Sequence, residues 1–240
     1  MCREWNKFCD EIVSTVTRRT ILCKDKLKRL ETLLKEKLVN PNATHHINNA
    51  HYSLLFYASV NNCEPLFKIL IDHGADPTWT NDSGNTVLLP MIKREQVSML
   101  NYSVRNMTEV CRKNFFNGSR ANGNGWSPLM SAANCGRVEM VKAFVRGGAD
   151  VNAEMSTGWT ALHAAAKGNY SLVVKYLLDE GQADPSMTAT HRDFGKNLTY
   201  LDVTTDQQIL NLEVIIKNGK VTTFDDVDEI DGLMEKTKLK

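Results

Sequence analysis

His45, His46 and His51 form the one histidine cluster in the 240-residue chain, and imidazoles so close together invite a metal ion. A zinc-type site, however, needs three or four His, Cys or carboxylate donors at ligand spacing. No Cys, Asp or Glu joins the trio at such a spacing, so the expectation is no metal and no cofactor. His163 is a candidate general base, yet no serine or cysteine nucleophile stands beside it in a recognisable motif, and a structural imidazole is the better reading. Cys135 lies two residues before Arg137, whose guanidinium would favour a thiolate; a small, unreactive groove residue accounts for it more simply. The chain contains no G-x-x-x-x-G-K-[ST], G-x-G-x-x-G or G-x-S-x-G, so phosphate cradles and hydrolase elbows have no support. These residues predict a protein that is not an enzyme and has no small-molecule substrate.

With 29 Lys and Arg against 28 Asp and Glu, the net charge of +1 is too balanced to gather nucleic acid or an anionic membrane along the whole surface. The ends differ: residues 1–40 carry ten basic and six acidic side chains, and Asp225, Asp226, Asp228, Glu229 and Asp231 make an acidic run near the other end. Lys24 to Lys37 alternates charges with leucines at Leu27, Leu30, Leu33, Leu34 and Leu38, the pattern of a capping helix. Nucleic-acid binding would need a larger basic surplus with interleaved exposed aromatics. Six scattered cysteines without a C-x-x-C pair read as reduced thiols. Arg3, Glu4 and Lys7 interrupt any secretory leader, and apolar stretches such as Val87 to Met91 are too short to cross a bilayer. The expected protein is soluble and cytoplasmic, nuclear or both.

What must position any functional side chain is a repeat. Residues 124–153 (NGWSPLMSAANCGRVEMVKAFVRGGADVNA) align with 157–186 (TGWTALHAAAKGNYSLVVKYLLDEGQADPS), placing Gly125 and Gly158 33 residues apart, and 51–78 fits the same frame. Each part has a physical reason. The turn glycines suit a positive φ. Ser127 or Thr160 can cap a first helix, with Pro128 preset at its first position. Ala132-Ala133 and Ala164-Ala165-Ala166 let neighbouring first helices stack closely. Met140, Val141, Phe144 and Val145, like Leu172, Val173, Tyr176 and Leu177, recur at helical spacing as a second helix's buried stripe.

Thr160-Ala161-Leu162-His163, Gly148-Ala149-Asp150-Val151-Asn152 and Gly74-Ala75-Asp76 make this pattern resemble the ankyrin repeat. The resemblance implies an all-α solenoid of stacked helix-turn-helix units joined by short hairpin loops. About six units are expected: a degenerate amino-terminal cap at 1–47, repeats at 48–80, 81–121, 122–155 and 156–189, and a carboxyl-terminal cap at 190–220, followed by a charged tail at 221–240. Gly125 follows Gly84 by 41 residues, so the 81–121 unit needs an insertion, expected between a first helix near Thr86 to Arg94 and a second near Tyr102 to Lys113. The amino-terminal cap would pair a helix over Glu4 to Arg19 with the Lys24 helix.

The family resemblance also implies that hairpin tips and first helices form a concave face that binds a partner. The residue after each turn glycine or its equivalent is Tyr52, Asn85, Trp126, Trp159 or Lys196, and aromatic residues of this kind dominate binding hot spots. Packing on adjacent hairpins is the competing role for them. The expected binding set is Tyr52, Asn85, Lys93, Arg94, Trp126, Asn134, Trp159 and Lys167, an aromatic groove with basic edges suited to a peptide of some acidic character. Asn152 matches the position that asparaginyl hydroxylases modify in the family; the alternative is a hairpin asparagine bonding its own backbone. The functional expectation is a monomeric scaffold or adaptor for a protein or peptide. An inhibitor of a kinase or transcription factor and a substrate-recruiting enzyme subunit are the alternatives.

Overall fold

A computed structural model describes residues 12, 24–47, 50–80, 86–108, 112, 115–116, 126–191 and 193–210. Its helices alternate between two layers. The inner layer stacks α2 (Leu54–Val60), α4 (Leu88–Arg94), α6 (Pro128–Asn134), α8 (Ala161–Lys167) and a closing 3-10 turn (Tyr200–Val203). The outer layer stacks α1 (Lys24–Lys35), α3 (Glu64–Asp72), α5 (Val97–Arg105), α7 (Val138–Arg146) and α9 (Ser171–Asp179). Two antiparallel hairpins add short ladders that the all-α expectation omitted: β1 (Thr44–Ile47) with β2 (Ala50–Ser53), and β3 (Ala189–His191) with β4 (Gly195–Leu198).

Inner helices of seven residues are too short to stand alone in water and depend on packing. Ala132, Ala133, Ala164, Ala165 and Ala166 are all fully buried, letting α6 and α8 approach closely as their size foretold. Side-chain caps begin three of these helices. Ser53 Oγ accepts from the Phe56 N–H at 3.2 Å, Ser127 Oγ from Met130 at 3.1 Å, and Thr160 Oγ1 from His163 at 3.5 Å. Thr199 and Asp202 form a capping box on the 3-10 turn. In the outer layer, Met140, Val141 and Phe144 of α7 and Val173, Tyr176 and Leu177 of α9 are buried, whereas Leu172 is exposed. Leu30 and Leu34 bury α1 against the array, and Leu38, past its end, is exposed.

The turn from inner to outer helix carries a left-handed residue in each of the four two-helix units: Asn62, Glu95, Gly136 and Asn169, with φ of 55°, 56°, 65° and 56°. These positions correct the expected insertion. Because Glu95 closes α4 and α5 begins at Val97, nothing is inserted between the two helices, and the second helix is Val97–Arg105 rather than Tyr102 to Lys113. Thr86 pairs with Thr80 in an isolated bridge and precedes the first helix. The extra length falls after α5: Arg105 and Pro128 are 23 residues apart, against 16 from Asp72 to Leu88 and 15 from Arg146 to Ala161. The expected helix at Glu4 to Arg19, apart from the buried Ile12, and the tail at 221–240 lie outside the described residues.

Polar bolts join successive units. Asn42 Oδ1 accepts from the Asp76 N–H at 2.6 Å, and Asn152 Oδ1 from the Asp184 N–H at 2.9 Å. Gln96 Nε2 donates to the Ser59 carbonyl at 2.8 Å, and the Tyr102 hydroxyl donates to Asp72, which pushes the Tyr102 pKa up. Asn169 binds forward through its side chain to Thr204 and Thr205.

Candidate functional site

The fold brings Trp126, Asn134, Trp159 and Lys167 around one open cleft of about 590 Å³, together with Met155, Thr157, Thr190 and His191. Asn134 and Lys167 come from the last residues of α6 and α8. The others come from the loops that precede inner helices, so the cleft lies where hairpin loops overhang the inner layer. Those loops are pinned together: the Thr190 N–H donates to the Thr157 carbonyl at 2.8 Å, and the Met155 N–H to the Trp159 carbonyl at 3.0 Å. Gly158 makes the close approach feasible. Its φ is +77°, and a Cβ there would stand 2.4 Å from the Thr188 carbonyl oxygen.

The two tryptophans divide the roles proposed for them. Both line the cleft, but Trp126 is half-buried, whereas Trp159 retains only 4% exposure and is chiefly a packing residue. Its ring lies 5.3 Å from that of His163 and 5.0 Å from that of His191. His191 in turn lies 5.0 Å from the exposed Phe194. Lys167 Nζ stands 5.8 Å from the Trp159 centroid, 6.0 Å from that of Phe194 and 3.0 Å from His191 Nε2. The ammonium is a donor only, so the imidazole presents its Nε2 lone pair.

The remaining expected residues sit elsewhere. Tyr52 stacks on Phe56 at 4.9 Å and meets Tyr57 edge-on at 5.8 Å, away from the cleft lining. Burial, with a smaller effect from Tyr52, pushes the Tyr57 hydroxyl up to about 12. Lys93 and Arg94 are exposed at the end of α4 but do not line the cleft. The Lys93 carbonyl accepts from Arg137 at 3.2 Å, and Arg137 also pairs with Glu95 at 3.5 Å, so the guanidinium near Cys135 is already engaged. Asn85 lies outside the described residues.

His163 takes a structural role and bridges units: Thr160 Oγ1 donates to Nδ1 at 2.8 Å, and Nε2–H donates to the Leu198 carbonyl at 3.0 Å. Burial lowers its pKa, against the opposing pull of the Leu198 carbonyl and Asp202. Asn152 is exposed, and its side-chain oxygen reaches the next unit rather than its own backbone. In the β1–β2 register His46 stands opposite His51 and His45 opposite Tyr52. Among the described residues no group of three or more His, Cys, Asp or Glu is placed to hold a metal ion, and no helix is long and apolar enough to cross a membrane.

Sequence reasoning missed Met155, Thr157, Thr190 and His191. The signal for two of them is a register: Thr157 stands seven residues after Asp150, and His191 seven after Asp184.

Stacked two-helix units joined by overhanging hairpin loops define a repeat protein of the solenoid class. The chain belongs to the ankyrin-repeat family: residues 99–189 match its ankyrin repeats in three copies. Notch-regulated ankyrin repeat-containing protein A of Danio rerio is 32% identical over 91 residues, 38% of this chain and 78% of that protein. Ankyrin repeat and SAM domain-containing protein 6 of Rattus norvegicus is 37% identical over 92 residues, 38% of this chain but only 10% of that much longer protein. The crystal structure of EF0377, an ankyrin repeat protein, is similar with a TM-score of 0.63 at 21% identity, covering 85% of this chain and 94% of that one, a likeness of fold. Ankyrin repeats generally mediate protein–protein interaction and are generally non-catalytic.

Proposed function

We propose that the chain is a non-catalytic scaffold or adaptor that holds an extended segment of a partner protein in the cleft beneath the Met155–Trp159 and Thr190–His191 loops. The carrying observation is the cleft itself: an open cavity of about 590 Å³ with a half-exposed tryptophan on its wall and amide, hydroxyl and ammonium groups around it. Rigid aromatic area rimmed by a few polar groups is the composition of an interface hot spot. The reading includes a cytoplasmic or nuclear location, supported by the unpaired thiols Cys63 and Cys135.

Site-directed photo-crosslinking in native cells tests this. A benzophenone amino acid at Asn134, on the cleft, should capture a discrete partner, and the same group at Glu139, exposed on the outer helix α7, should not. Capture from Glu139 equal to that from Asn134, or capture from Asn134 that survives Trp126→Ala undiminished, would sink the assignment.

A further inference from the structure

We propose that Lys167 sets the partner's chemistry: its ammonium takes the carboxylate of an Asp or Glu in the bound segment, and a bulky apolar side chain beside that acid lies against Trp126 and Met155. This deepens the reading above and rests on it.

Lys167 differs from four cations that hold an ion pair within the array. Lys35, Lys68 and Lys142 each reach a glutamate of their own helix at 2.7 or 2.8 Å, and Arg137 pairs with Glu95. Among the described residues no carboxylate pairs with Lys167, and none lines the cleft it enters. It meets instead a ring nitrogen at 3.0 Å and two aromatic faces at 5.8 and 6.0 Å. Those neighbours orient the ammonium without neutralising it. Of its three N–H donors, His191 Nε2 occupies one, which leaves donors for an incoming oxygen. A carboxylate arriving there forms a charge-assisted hydrogen bond on the wall of the open cleft. Asn134, Thr157 and Thr190 add an amide and two hydroxyls suited to an extended backbone, while Trp126 and Met155 supply the apolar wall. One lysine matches a singly charged carboxylate; phosphorylated segments are recognised by clusters of arginine, and this cleft has none.

The test uses a phage-displayed library of random decapeptides selected on the full chain, with enriched sequences synthesised and their affinities read by fluorescence anisotropy. Expected is a fixed Asp or Glu with Trp, Phe, Leu, Ile or Met within two positions, loss of all binding in Trp126→Ala, and affinity about tenfold weaker in Lys167→Met. In Lys167→Glu, a peptide with its acid exchanged for lysine should bind more tightly than it binds the natural chain. Circular dichroism confirms that the variants are folded. Peptides lost in Trp126→Ala but bound equally by Lys167→Met would overturn the role of Lys167 and leave the cleft reading standing. Peptides bound equally by Trp126→Ala, or no enrichment at all, would overturn the cleft reading itself.

Discussion

Trp159→Ala should unfold the carboxyl-terminal part of the array more readily than any other single change at the cleft. An indole buries about 150–250 Å², which at about 25 cal/mol per Å² is worth about 4–6 kcal/mol as an upper bound. Trp159 is 96% withdrawn from solvent, so nearly all of that area counts, and the rings of His163 and His191 lose their shared neighbour with it. The overlying loops can collapse partway, which brings the expected loss to about 4 kcal/mol. Urea unfolding followed by far-ultraviolet circular dichroism measures it, with Trp159→Phe expected to recover about half. Because repeat arrays can unfold in sections, a smaller urea slope in the variant would show the last units detaching while the rest stays folded. Trp126→Ala, half-exposed at the equivalent position, should cost less than half as much. A Trp159→Ala loss under about 1 kcal/mol, or one no larger than that of Trp126→Ala, would refute the packing role.

Gly158→Ala should cost about 2 kcal/mol or more, because a positive φ and a backbone carbonyl 2.4 Å from the new Cβ act together; Gly148→Ala, with φ +92° and nothing within 4 Å, should cost only about 1 kcal/mol in the same urea series. Equal losses would show that the contact with Thr188 yields freely. The lowered pKa of His163 means that the unfolded chain takes up its proton first as acid is added. Stability should therefore fall with pH from about 6.5 toward the folded pKa, by at most about 1.4 kcal/mol per pH unit from this group, and His163→Gln should flatten that slope relative to the natural chain. Asn152→Ala should lose about 1 kcal/mol with the acceptor for the Asp184 N–H, and Asn152→Asp, which keeps an acceptor, should lose less. Identical denaturation midpoints for the two would show that the bolt between those units carries no stability.

The helical core was legible because its rules are local. Small residues at Ala132 and Ala164, the caps Ser127 and Thr160, and the stripe of Met140, Val141 and Phe144 each announce an element from a few neighbouring positions. The expected insertion went astray at Glu95. Its counterparts Asn62, Gly136 and Asn169 are residue types that tolerate left-handed backbone, and a glutamate in that place hides the turn that separates α4 from α5. The cleft was legible only in part. Trp126, Asn134 and Lys167 follow from the repeat frame, but exposure of a hairpin residue is decided by the loop laid over it from the next unit, and no pattern within one unit encodes that cover.

The two tryptophans make this point physically. They occupy the same place, 33 residues apart, and both line the cleft, yet one is buried and the other half-exposed. Over Trp159 the next loop lays His191, an aromatic ring at 5.0 Å that fills the space. The matching position one unit earlier, counted from Asp150 as His191 is from Asp184, holds Thr157, too small to fill a ring-sized space. The greater exposure of Trp126 thus goes with a small residue at the place where, one unit later, a ring covers Trp159. The same imidazole that seals Trp159 also accepts from Lys167, so the covering ring and the cleft's ammonium are held by one contact. Stability of the last hairpin and the position of Lys167 are therefore coupled through His191. Any change that loosens β3 and β4 should disturb the cleft before it disturbs the stacked helices.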